Sequence, residues 1–236
     1  MIDKSIIFKI IGSLLFIEAI LLLACLCMAV GYQEDDVLAF IITIILTTFT
    51  GIVLHFFGRH ANNYMSRRDA YLVVTLSWII FSLFGTFPFM ISGYIPNFTD
   101  AYFETMSGFT TTGATIIDDV DKLPHGLLFW RSMTQWIGGL GIVFFTTAIL
   151  PSFVGGSVKV FAAEATGPVT TRLHPRLSTN AKWIWVVYLV LTISCILSYM
   201  ICGMGWFDSI NYAMGTTATG GFSTHTDSAE FFRSPA

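Results

Sequence analysis

The sequence predicts an all-α integral membrane protein made of spanning helices and short re-entrant helices, and three observations predict it. Mean hydropathy is +0.71, with 54% hydrophobic and only 11% charged residues, outside the range of soluble globular domains. Five apolar runs, 10–30, 37–57, 70–94, 126–150 and 183–204, reach or exceed the ~20 residues that cross a bilayer. Between or beyond these runs lie two threonine–glycine stretches, "SGFTTTGAT" and "GTTATGGFSTH".

The first run follows Lys4 and Lys9 and contains "LLAC" ending at Cys25, features shared with secretory signals. It is too long for a signal core of ~7–15 residues, and a second span follows it directly, so it reads as a spanning helix. Cys25 and Cys27 are two residues apart, which puts them on different helix faces and speaks against a metal pair. If the spans alternate, Lys4, Lys9, Arg59, Arg67, Arg68, Lys159, Arg172, Arg176 and Lys182 share one side, leaving Lys122, Arg131 and Arg233 opposite. The first side is then cytoplasmic, including the N-terminus. The outer side collects acids, among them Glu34, Asp35, Asp36, Asp100, Glu104, Asp119, Asp121 and Asp208, which would raise the local cation concentration. Ordinary solvated loop carboxylates explain the same charges equally well.

Between the third and fourth runs, "FTDAYFETMSGF" is too apolar for a loop. Thr99 or Asp100 offers a helix cap, and Ala101, Tyr102, Thr105, Met106 and Phe109 recur at helical spacing. A short re-entrant helix followed by extended "TTTGAT" is predicted. Non-helical backbone at membrane depth is tolerated only where protein buries it or where it lines a watery cavity. A cation that loses its water there needs oxygen ligands, and with no charged side chain in the run, backbone carbonyls supply them. Gly113 permits the positive φ that turns successive carbonyls toward one axis. Taken alone, the stretch reads first as a Thr-Gly turn, since such pairs are common in loops.

Repetition strengthens the pore reading. At an offset of 107, Gly108 falls on Gly215, Thr110 on Thr217, Thr112 on Thr219 and Gly113 on Gly220, whereas Asp100 and Asp208 differ by 108, so one residue of slack is needed at the helix starts.

The stretches "SGFTTTGATI" and "ATGGFSTH", the helix "FWRSMTQWIGGLGI" and the connection "AEATGPVTTRLHPR" together resemble the N-terminal half of a TrkH-type subunit of the Trk/Ktr/HKT superfamily of potassium transport proteins. The resemblance covers nearly the whole chain. It implies two leading transmembrane helices (1–68), then a first pore unit of outer helix, re-entrant pore helix, filter loop and inner helix (69–152), a cytoplasmic connection (153–180) and a second unit (181–236) that stops just after its filter, so the chain is expected to be a fragment of a potassium-channel-like fold. The implied potassium ligands are Thr111, Thr112 and Gly113 in the first loop and Ala218, Thr219 and Gly220 in the second, supported by Thr110, Ala114, Thr217 and Gly221, with potassium as the transported ion and no covalent cofactor. Also implied are a homodimer in the bacterial inner membrane, surrounded by lipid, a cytoplasmic nucleotide-binding regulatory subunit (TrkA-like) docking near Arg172, Arg176 and Lys182, no nucleic-acid partner, and filter loops facing outside.

Other features are expected to be structural. Gly138 to Gly141, "GGLG", lacks a preceding strand and reads as close helix packing, not a nucleotide loop. Trp130 and Trp136 read as interface and packing aromatics. Arg131 is expected to snorkel or to pair with a loop carboxylate, and Glu18 to make a buried hydrogen bond to a neighbouring helix. The five histidines show no metal spacing. No nucleophile–base constellation lies within the spans, which argues against an enzyme. An ion-coupled alternating-access symporter would place acids beside unwound helices inside the membrane; the acids lie outside the spans, favouring conduction.

Overall fold

The computed structural model describes residues 4–59, 61, 67–149 and 177–232, and among these every regular element is helical. In order they are α1 (Lys4–Tyr32), α2 (Val37–Phe57), α3 (Arg67–Ile91), α4 (Phe98–Phe109), a 3₁₀ turn (Val120–Lys122), α5 (His125–Ile149), α6 (Leu177–Ile201), α7 (Trp206–Ala218) and a second 3₁₀ turn (Ser228–Phe232). The connection carrying Arg172 and Arg176 lies outside the described residues.

Among the described residues four helices are long and apolar enough to cross a membrane: Lys4–Tyr32, Val37–Phe57, Tyr71–Ile91 and Lys182–Ile201. The predicted run 126–150 is not one of them. It forms α5, but α5 breaks at Gly141, where φ 69° and ψ 139° are not helical. Its first half also carries Arg131, Ser132, Thr134 and Gln135, all buried, so polar contacts with its neighbours replace hydrocarbon exposure.

α1 and α2 pack against each other as a close pair. A Cβ at Gly12 would stand 2.8 Å from the Gly51 carbonyl oxygen, so the small residue is what lets the two backbones approach. Cys25 is buried and Cys27 exposed, as their spacing predicts. α1 also packs on α3 and α5, while the short helices α4 and α7 both pack on α5. The core between them joins Phe81, Phe89, Phe109, Leu127 and Trp130. Both tryptophans pack as predicted: Trp130 Nε1 donates to the Gly85 carbonyl at 2.9 Å and Trp136 Nε1 to Thr192 Oγ1 at 3.0 Å. α6 is different, because only 6% of its spanning window is buried.

Glu18 departs from expectation. It is fully buried on α1, yet neither carboxyl oxygen has a hydrogen-bond partner among the described residues. No cluster of three or more metal-ligating side chains occurs among them either.

Candidate filter loops

Each short helix ends in a loop of the same backbone form. α4 is capped not by Thr99 or Asp100 but by Asn97, whose side chain accepts from the Thr99 amide at 3.0 Å. At its far end Thr111 N donates to Gly108 O and Thr112 N to Ser107 O, both at 2.9 Å. At the end of α7, Thr219 N donates to Thr216 O at 3.0 Å and Gly220 N to Gly215 O at 2.9 Å. Thr111 and Thr219 both take a left-handed conformation, with φ 53° and 54°, and two residues later Gly113 and Gly221 have φ 74° and 86°.

The equivalence therefore runs at an offset of 108, not 107. Thr111 matches Thr219, Thr112 matches Gly220, Gly113 matches Gly221, and Asp100 falls on Asp208 without slack. The letters mislead because "GG" at 220–221 accepts either register, while only Gly221 has the positive φ of Gly113. Gly113 and Gly220 are instead in contact: a Cβ on Gly113 would overlap the Gly220 carbonyl oxygen. A β-branched residue with positive φ is a backbone outlier. Holding one costs about 1–3 kcal/mol and persists where the surroundings over-determine it, most often at functional sites. The same outlier stands at the same place in both loops.

Threonine and serine hydroxyls hold the first loop. Ser107 Oγ donates to the Ala114 carbonyl at 2.6 Å, Thr110 Oγ1 donates to Met106 O at 2.7 Å, and Thr110 and Thr112 hydroxyls pair at 2.8 Å. Behind the loops a buried ion pair joins α4 to α5: Arg131 Nε donates to Glu104 Oε1 at 2.8 Å, and both side chains are almost wholly out of solvent. Glu104 also accepts from the Ile116 amide at 3.1 Å and lies 3.0 Å from Thr115 Oγ1. Arg131 reaches the second loop as well, donating to the Ser223 carbonyl at 3.0 Å and lying 4.2 Å from the centre of the Phe222 ring. Arg131 thus pairs with a carboxylate but does not snorkel, and Glu104 is not a solvated acid of the outer face. Gly138 packs against the Phe109 backbone and Gly139 against Ala218, the close packing predicted for "GGLG", and the break at Gly141 comes in addition.

Two histidines tie neighbouring segments together. His125 Nδ1 lies 2.7 Å from Glu34 Oε1, and its ring stacks on Tyr32 at 3.8 Å. His225 Nδ1 lies 2.7 Å from Asp121 Oδ1, linking the segments that follow the two loops. The hydrogen bond to His225, with those from Thr226, holds the Asp121 carboxyl down at about 2. Asp36, which the sequence places among the solvated outer acids, is buried at the start of α2 with neither oxygen partnered among the described residues. Desolvation, reinforced by the charge of Glu34, pushes it up to about 6. Between about pH 4 and pH 6 the folded chain therefore keeps a proton that the unfolded chain releases, so Asp36 makes stability fall as pH rises through that window. The loss is on the order of 2 kcal/mol above it. Asp36→Asn is expected to remove this component: thermal unfolding at pH 5 and pH 7.5 should differ by several degrees less in the variant than in the parent.

A family model described as "TrkH: Cation transport protein" matches residues 37–236. The chain belongs to the TrkH family. A Trk system potassium uptake protein TrkH from Halomonas elongata is 38% identical over 98% of the chain, and one from Escherichia coli is 37% identical over 96%. The crystal structure of the potassium transporter TrkH from Vibrio parahaemolyticus superposes with a TM-score of 0.80 and 36% identity, covering 98% of this chain and 46% of that one. The chain spans about half the length of the curated TrkH relatives it matches, 48% and 47% for the two named here.

In this TrkH-family chain, sequence reasoning missed Gln135, which is fully buried and touches the second loop. A signal was available: Arg131 and Gln135 are four residues apart, hence on one face of the predicted helix.

Proposed function

We propose that the chain supplies part of a potassium uptake pathway across the cytoplasmic membrane, its two threonine–glycine loops forming two filter segments of one pore. The observation that carries this reading is the repeated backbone at an offset of 108, two positive-φ residues in each loop at equivalent places. Carbonyls presented by such a backbone replace the hydration of an alkali cation, and the names of the relatives supply the ion.

On the 108 register we take the potassium ligands to be Thr111, Thr112 and Gly113 in the first loop and Thr219, Gly220 and Gly221 in the second, with Ala218 in the supporting place of Thr110. Residues 1–68 form the leading helix pair, 69–152 the first pore unit, 153–180 a cytoplasmic connection and 181–236 the beginning of a second unit. The loops face outside and the N-terminus lies in the cytoplasm. A homodimer and a cytoplasmic nucleotide-binding subunit complete the assembly. Against a coupled symporter stands Glu104: it is an acid that touches the first loop at Thr115, and it is committed to Arg131.

In a polypeptide of the relatives' full length that contains these residues, expression in a cell lacking its own potassium uptake is expected to restore growth at low potassium and to give rubidium uptake that potassium inhibits and sodium does not. Failure to restore growth with the protein present in the membrane overturns the reading.

A further inference from the structure

We infer that Gln135 is a positioning residue that couples the two loops, so that discrimination between potassium and sodium depends on its carboxamide; the inference rests on reading the loops as filter segments. Gln135 lies on α5 with no solvent exposure. Its Oε1 accepts from the Phe222 amide at 3.1 Å, an N–H that is otherwise buried just after the second loop's positive-φ glycine. Its Nε2 lies against the place where the loops touch: a Cβ on Gly220 would be 2.7 Å from Nε2 and one on Gly113 3.8 Å from it. One side chain therefore meets both members of the Gly113–Gly220 contact and also fixes the segment that follows Gly221.

Packing alone does not account for the choice of glutamine. Nε2 is buried with no hydrogen-bond partner among the described residues, and an unmatched buried donor costs stability that an apolar side chain of equal size avoids. What the carboxamide provides in return is an acceptor placed to hold Phe222 N. Arg131, one turn earlier, holds the same segment through the Ser223 carbonyl. The second loop is thus clamped at consecutive residues, one amide and one carbonyl, from a single face of α5. Releasing the amide clamp leaves Gly221 free to rotate about its backbone, and the carbonyl directions of the second loop spread.

The test uses a polypeptide of the relatives' full length containing these residues and reads potassium, rubidium and sodium flux per protein in the membrane. Gln135→Met keeps the length and removes the acceptor. The potassium-to-sodium flux ratio is expected to fall at least threefold, whereas a merely structural role would lower total flux and leave the ratio alone. Gly113→Ser and Gly221→Ser are measured beside it. If they lower the ratio and Gln135→Met does not, Gln135 is packing and the inference is overturned while the filter reading stands; if none of the three changes it, the filter reading falls first. Should Gln135→Met not reach the membrane, Gln135→Leu decides, because it also removes the acceptor for Phe222 N and leaves both loops' own residues intact. It should lower the ratio too, and an unchanged ratio there overturns the inference.

Discussion

Gly113→Ser and Gly221→Ser are expected to lower the potassium-to-sodium flux ratio by roughly tenfold in a full-length protein containing these residues. Both glycines have φ in the left-handed region, 74° and 86°, where a Cβ adds ~1–2 kcal/mol per residue. That penalty tilts the backbone away from the conformation in which neighbouring carbonyls share one cation. The two sites separate two causes. At Gly221 a Cβ meets nothing within 4 Å, so the effect is of the backbone alone, whereas at Gly113 it also overlaps the Gly220 carbonyl oxygen. Gly113→Ser should therefore cost more, with some loss of folded protein. Gly93→Ser is the control, since Gly93 has φ 81° and open space around it but lies in the turn after α3, away from both loops. It should lower stability and leave the ratio alone. An unchanged ratio in both loop variants would make the loops ordinary turns.

Breaking the buried ion pair has the largest expected effect on folding. Arg131→Met leaves Glu104 buried without its charge partner, and Glu104→Gln does the same to Arg131; each should cost ~3–5 kcal/mol. Changing both, Arg131→Met with Glu104→Met, should recover part of that loss, because two apolar groups need no compensation. Even so, the hydrogen bonds to Ile116 N, Thr115 Oγ1 and Ser223 O disappear with the pair, so flux should not recover with stability. Thermal unfolding of detergent-extracted protein and flux per protein measure the two quantities separately. A double variant with full stability and full selectivity would show that the pair holds neither loop.

Much of this fold was legible in the sequence because hydrophobicity is a bulk property of a stretch. Val37–Phe57 reads from its letters with the bounds that α2 has, and Cys25 and Cys27 fall on different faces as helical spacing demands. The short helix α4 was legible from its periodicity, but its first turn was not: Asn97 outcompetes the two cap candidates one turn on because its side chain reaches the Thr99 amide. What stayed hidden depends on pairs of distant residues. Glu104 looks like a solvated acid until Arg131, on another helix, is brought beside it. Asp36 looks solvated until α1, α2 and α5 close over it. The repeat register needed the backbone, since the letters from Gly108 to Gly113 favour an offset of 107, with four identities against two at 108, and only φ shows that Gly221, not Gly220, matches Gly113. The break at Gly141 was invisible in a run whose apolar character continues on both sides.

α6 shows what hydrophobicity leaves undecided. Only 6% of its spanning window is buried, and a helix apolar on every side has no preferred angle of rotation about its own axis in hydrocarbon. Four polar contacts set that angle: Tyr188 donates to the Trp136 carbonyl at 3.0 Å, Thr192 accepts from the Trp136 indole at 3.0 Å and lies 3.3 Å from Thr217 Oγ1, and Tyr199 pairs with Thr216 at 2.7 Å. Each such bond between membrane helices is worth about 0.6–2 kcal/mol. Apolar surface keeps α6 in the bilayer, while these bonds act as an index that stops it spinning, and two of the four close on Trp136, one turn along α5 from Arg131 and next to Gln135.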